Sequence, residues 1–176
     1  MSDDSRVSAQ PNESRDITAQ KRGFDTKRLG EVAELAFILK ATSLGLTPSR
    51  PYGERKPYDF LLDCGGRVLR IQVKSVSTNR QRDKHRFSVN VTKNKERRRA
   101  AYELDDIDFV AAYVAPHNLW YVIPVDALAG RTFINLYPLG KRRTIGGLFE
   151  KYREAWHLFT MTCHSGPPVF GEQSLP

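Results

Sequence analysis

A chain of 176 residues, 40% hydrophobic and 27% charged, has the size and composition of one globular domain, large enough to bury a core without disulfide or metal staples. Its formal charge of +8 and pI of about 9.7 fit a polyanionic partner, although charge alone does not separate nucleic acid from an anionic membrane surface. No apolar run reaches the length of a membrane span and no basic leader precedes an apolar signal core, so no membrane association and a cytoplasmic location are expected.

Residues 1–22 are polar, with Val7 and Ile17 as the only large aliphatics after Met1, and are expected to be disordered because they bury too little apolar surface to offset ordering. A helix is predicted to begin near Asp25 or Thr26, either of which can cap its free N–H groups, and to end near Gly45. Its apolar stripe reads as Leu29, Val32, Ala33, Ala36 and Leu39, broadened by Leu35 and Ile38. Strands follow at 58–63 and 67–76, joined by a Cys-Gly-Gly turn, and a third at 86–92. The basic run Lys93, Lys95, Arg97, Arg98, Arg99 reads as a solvated connector, helical or irregular, or as a phosphate-contacting patch. The segment 108–115 is apolar on both faces, as a central strand should be, and 119–125 is a strand whose far end Pro124 marks as an edge or terminus. An amphipathic helix over 146–159 closes the domain, placed at 23–160, and 161–176 form an irregular tail. This order gives an α/β fold with a mixed central sheet flanked by helices.

The cysteines, Cys64 and Cys163, form no framework and are expected as free thiols; Cys163, His164 and His157 lack the paired spacing of a zinc site.

Chemistry concentrates at residues 71–75, IQVKS. Leu69, Ile71 and Val73 alternate with Arg70, Gln72 and Lys74, so Gln72 and Lys74 project side by side from the face opposite the core. Asp59 lies on the preceding strand. A carboxylate followed by a polar residue and a lysine two apart on the next strand is how many nucleases build a metal site. Hydrolysing a phosphodiester needs a cation to balance transition-state charge and a water placed in line. Asp59, the Gln72 amide oxygen and the Val73 backbone carbonyl are hard oxygen donors suited to magnesium, and Lys74 would hold the attacking water. A carboxylate from the first helix, whose first half holds Glu31 and Glu34, would complete the pocket, and Glu31 is then no longer an arbitrary surface glutamate. Taken alone, Arg70, Gln72 and Lys74 are a common pattern and read as the solvent face of an antiparallel hairpin.

The joint order settles between these. KRLGEVAELAFILKATSLGL, PYGERKPYDFLL, VLRIQVKS, YELDDIDFVAAYV and LWYVIP together resemble the PD-(D/E)XK endonucleases associated with group I introns, from about Lys27 to Pro124. The resemblance places that family's helix glutamate on Glu31, after Gly30, and its aspartate on Asp59. Its Gln-x-Lys signature falls on Gln72 and Lys74, and its later segment on Tyr102, Asp106, Asp108 and Phe109. It implies a restriction-endonuclease-like fold and Mg2+-dependent cleavage of DNA, with Mn2+ as a possible substitute. Asp59, Gln72 and the Val73 carbonyl would then be ligands, with Glu31 acting directly or through water. Arg55, Lys56, Lys93, Lys95, Arg97, Arg98 and Arg99, followed by His85 and Arg86, are the candidate phosphate contacts. Two other readings share the fold: an inactive DNA-binding module and a Holliday-junction-resolving nuclease. One site per chain and two strands to cut imply a homo-oligomer, a dimer or higher.

Overall fold

A computed structural model of the protein describes residues 13–53, 56–63, 67–76, 86–95, 98–139 and 145–164, with side chains described from residue 26 onward except at 94, 95, 98, 145, 146, 163 and 164. The elements run α1 (Glu13–Ser43), β1 (Thr47–Ser49), β2 (Phe60–Asp63), β3 (Val68–Val76), β4 (Phe87–Asn90), β5 (Thr92–Lys95), β6 (Arg98–Ala101), β7 (Phe109–Val114) and β8 (Leu119–Pro124). They continue with α2 (Val125–Leu128), β9 (Phe133–Leu136), a 3-10 helix (Ile145–Tyr152) and α3 (His157–His164).

Five strands form the central sheet in the order β1-β2-β3-β7-β8. β3 and β7 are parallel, and the other neighbours are antiparallel. All six residues of β7 are buried, which is why its sequence is apolar on both faces. One face of the sheet carries α1 and α3: Ala33, Phe37 and Ala41 pack with Phe60, Leu62, Ile71 and Phe159. Phe37 is fully buried, with its ring 5.1 Å from that of Phe60 and 5.9 Å from that of Trp156. Burying such a side chain contributes about 1.5–3 kcal/mol. The opposite face is covered by the antiparallel pair β4–β9, whose Phe87, Val89, Ile134 and Leu136 meet Val110, Ala112, Tyr121 and Ile123.

Several expectations are corrected. The first helix begins at Glu13, so residues 13–22, expected to be disordered, are helical; residues 1–12 lie outside the described residues. Glu, Arg, Ala, Gln and Lys in that segment favour helix, and lengthening an existing helix adds a hydrogen bond per residue without new nucleation. The predicted stripe holds in part: Ala33 is buried and Ala36 and Ile38 pack against the core, but the core-facing set is completed by Phe37 and Ala41. Ala33, Phe37 and Ala41 face the sheet, whereas Val32, Leu35 and Leu39 are 46%, 66% and 74% exposed. Two alanines flanking one phenylalanine let the helix lie close to the sheet, an arrangement the bulkier aliphatics would prevent. The segment 86–92 splits between β4 and β5, in two separate two-stranded sheets outside the central one. Of the basic run, Lys93, Lys95, Arg98 and Arg99 lie in the antiparallel ribbon β5–β6 and not in a helix, with Lys93 opposite Ala100 and Thr92 opposite Ala101.

The closing helix is broken at Arg153–Trp156. There Glu154 takes a positive φ of 50° while its N–H donates to the Trp120 carbonyl (2.8 Å). Its carboxylate accepts the Trp120 N–H (2.7 Å) and the Trp156 Nε1–H (2.9 Å). Satisfying the open edge of β8 outweighs helical continuity. Residues 161–164, placed in the irregular tail, continue α3, and 165–176 lie outside the described residues, as does the Cys-Gly-Gly turn at 64–66.

Candidate active site

The site arises from a mismatch in strand length. Pairing of β2 with β3 ends at Phe60 opposite Ile71, with the Asp59 N–H donating to the Ile71 carbonyl (2.9 Å). β3 runs on to Val76 alongside β7. Beyond Ile71, the flank of β3 turned toward β2 is met by the Asp59 side chain, whose Oδ2 accepts the Val73 N–H at 2.8 Å. A cleft of about 360 Å³ opens there, lined by Gly30, Ala33 and Glu34 of α1, by Val73, Lys74 and Ser75 of β3, and by Asn90, Thr92 and Arg99.

Gln72 is buried at 8% exposure. Its amide Nε2–H donates to Asp59 Oδ2 and to the Val73 carbonyl (3.1 Å), so three polar groups from two strands converge on one point. Burial pushes the Asp59 carboxyl above its usual range; the Val73 N–H, the Lys74 and Arg50 charges and the Gln72 amide oppose that shift. Burial also pulls the Lys74 ammonium below the usual lysine range, and Asp59 partly restores it. Lys74 Nζ lies 5.5 Å from the centre of the Tyr102 ring.

Asp59, Gln72 and Lys74 are therefore brought together as the sequence predicts. Lys74 and Val73 line the cleft, Asp59 and Gln72 adjoin it through their bonds to Val73, and Glu31 is exposed and outside the lining, whereas Glu34, read from the sequence as a solvated helix glutamate, lies in it. Glu34 pairs with Arg50, which the sequence reading passed over and whose guanidinium lies 5.6 Å from the Phe60 ring centre. The signal for Glu34 was its place four residues after Gly30, on the flank of a helix whose core positions are Ala33, Phe37 and Ala41. Arg50 sits in a loop without a motif, and no sequence signal marks it.

The basic residues divide. Arg99 is exposed and faces the cleft, and Lys56 is exposed. Lys93 is drawn instead into ion pairs with Asp106 and with Glu103 (3.3 Å). The strand positions of Lys95 and Arg98 are described but not their side chains; Arg55, His85 and Arg97 lie outside the described residues. Asp108 is a brace for β3, accepting the Arg70 backbone N–H (2.7 Å) and Nε–H (3.1 Å).

Among the described residues no group of three or more His, Cys, Asp or Glu gathers as a metal cage. The donor set is one carboxylate, one amide and one main-chain carbonyl, all hard oxygens once the Gln72 amide presents Oε1, which half a turn about its last torsion accomplishes. These residues fit a divalent cation.

A family model described as PD-(D/E)XK endonuclease matches residues 24–158. The chain belongs to the PD-(D/E)XK endonuclease family. Nucleases of this family generally use divalent metal ions. The chain is also similar to the structure of a bacterial homing endonuclease, I-Ssp6803I, with 34% sequence identity and a TM-score of 0.65, covering 78% of this chain and 94% of that one. The family assignment and this likeness make the mixed sheet a restriction-endonuclease-like fold and the protein an endonuclease. The crystal structure of MepB matches at a TM-score of 0.41 and 12% identity over 67% of this chain and 94% of that one, too distant to bear on function. No curated protein matches by sequence. Among the described residues, no helix is long and apolar enough to cross a membrane.

Proposed function

We propose that the protein is a Mg2+-dependent endonuclease that cleaves double-stranded DNA in the cleft beside β3, with Mn2+ as an alternative ion. The observation that carries this reading is the convergence of Asp59, Gln72 and the Val73 carbonyl next to Lys74. Asp59, the Gln72 amide oxygen and the Val73 carbonyl would hold the ion, which when bound supplies positive charge against the phosphate oxygens. Lys74 orients the attacking water and offsets charge as the phosphorus–oxygen bond breaks. The Val73 N–H fixes the Asp59 carboxylate so that its free oxygen is presented without reorganisation. Glu34 is the helix carboxylate best placed to act in the cleft; Glu31 would act only through a water or a shifted substrate. Arg99, at the cleft, and Lys56, at the surface, supply phosphate contacts. Cutting both strands with one site per chain calls for a dimer or a higher homo-oligomer.

The test incubates plasmid and branched DNA with the protein in MgCl2 or in EDTA, alongside Asp59→Ala and Lys74→Met. Nicking or linearisation in magnesium by the wild type, lost in chelator and in both variants, is the expected result. Binding without cleavage by the wild type would make it an inactive DNA-binding module, and cleavage of the branched DNA alone would make it a junction resolvase.

A further inference from the structure

Lys74 carries a long flexible stem into a cleft, and a catalytic ammonium must occupy one position to orient a water. Holding such a side chain in one rotamer costs conformational entropy that some contact must offset. Among the described residues Lys74 has no carboxylate within ion-pair distance. The group it meets is an aromatic face, with Nζ 5.5 Å from the Tyr102 ring centre, within the range of a cation–π contact.

The ring is itself held rigid. Tyr102 is 5% exposed and packs in the core cluster that includes Val76, Val110 and Ala112 of the central sheet. The segment just after it is tied down, because Asp106 accepts the Glu103 N–H (2.8 Å) and pairs with Lys93 of the ribbon. Burial, helped by nearby Asp59 and Asp106, keeps the phenol protonated, so its face is that of a neutral ring.

We propose that Tyr102 is a positioning residue for the reaction, its ring serving as the platform that holds the Lys74 ammonium at the cleft. The inference rests on the nuclease reading of that site. It also gives the Lys93–Asp106 pair a role at one remove, since that pair fixes the segment from which the platform rises.

The test separates ring electronics from ring shape. Tyr102→Phe sets the reference rate, and phenylalanines carrying one, two and three ring fluorines are then installed at position 102. Fluorination drains the negative face of the ring with almost no change in size. Single-turnover cleavage of plasmid DNA at saturating protein should fall stepwise along the series, reaching about tenfold below the Phe variant at three fluorines. DNA affinity and Tm should stay constant, as a packing role alone would not produce that split. In the wild type, the Lys74 ε-methylene protons should show a ring-current upfield shift by NMR, lost in Tyr102→Leu. A flat rate across the series, or an unshifted ε-methylene signal, overturns the platform. Lys74→Met is run in parallel. If it is inactive while the fluorine series is flat, only the platform fails; if it cleaves like the wild type, the nuclease reading of the site fails with it.

Discussion

Replacing Gln72 by glutamate changes few atoms but reverses the electrostatics of the site. In the wild type the amide donates to Asp59 Oδ2 and to the Val73 carbonyl, acting as a neutral clamp between two acceptors. In Gln72→Glu those acceptors face a carboxylate. The Val73 carbonyl loses its side-chain donor, at a cost of about 1–3 kcal/mol, while Asp59 Oδ2 keeps the Val73 N–H. Repulsion between two carboxylates about 4 Å apart adds up to about 4 kcal/mol at an effective dielectric near 20, reduced by the partial exposure of Asp59 and by side-chain relaxation. A net loss of about 2–4 kcal/mol at pH 7 without metal follows, or a fall in Tm of roughly 5–15 °C for a chain of this size. The pH dependence has a definite sign. Both carboxyls acquire folded-state pKa values above their unfolded values near 4, so below about pH 4 both are protonated in either state and the variant approaches the wild type. As pH rises through the raised folded values, the unfolded chain ionises freely while the folded one resists, and stability is lost. Magnesium should reverse the defect, restoring about 2.7 kcal/mol at a hundred times its Kd. Thermal melts of both proteins between pH 4 and 8, with MgCl2 and with EDTA, measure all of this. An unchanged Tm in EDTA, or a drop that magnesium does not reverse, refutes the convergence of Asp59, Gln72 and Val73 as a cation site.

Three further outcomes are expected. Asp59 is held above its normal pKa by burial, so its ionisation opposes folding as pH rises past the unfolded value; Asp59→Asn should gain Tm relative to wild type on going from pH 3.5 to pH 7 while losing cleavage, and a constant difference would contradict the burial. Glu34→Gln should slow cleavage by about a hundredfold and Glu31→Gln by less than threefold; the opposite order would return the role to Glu31. Arg99→Ala should lower the log–log salt slope of DNA binding by about 0.9, whereas Lys93→Ala should leave the slope unchanged and lower Tm; a reduced slope for Lys93→Ala would mean that its ion pairs open on DNA.

The residues that carry the site were legible because they sit on one short segment with a period of two. In β3, core-facing Leu69, Ile71 and Val73 leave no choice about where Gln72 and Lys74 point. The helix was legible in existence but only partly in phase. Its sequence contains two apolar sets, Ala33–Phe37–Ala41 and Val32–Leu35–Leu39, and hydrophobicity favours the one the fold leaves outside. Closeness of approach to the sheet decided between them, a tertiary effect that no local pattern reports, whereas Glu31 was singled out by the Gly30–Glu31 pair of the family resemblance and not by the helix phase. The ribbon was missed for a related reason. Lys93 reads as solvated charge until Asp106, thirteen residues on, is found beside it. The break before α3 depends on the open edge of β8, which exists only once the sheet is assembled.

The ribbon β5–β6 belongs to neither the central sheet nor the β4–β9 layer, and its strands pair only with each other. Arg99 reaches the cleft from it, and among its described side chains Lys93, paired with Asp106, and Thr92, bonded to Asn90 Oδ1, tie it to the body. β3 is held between β2 and β7 within the central sheet, whereas Arg99 stands exposed on the ribbon, so a change there alters the rim of the cleft without touching the strand that carries Gln72 and Lys74. On the nuclease reading proposed above, the rim of the cleft can therefore be altered at Arg99 while Lys93 and Tyr102 keep the catalytic strand's surroundings fixed.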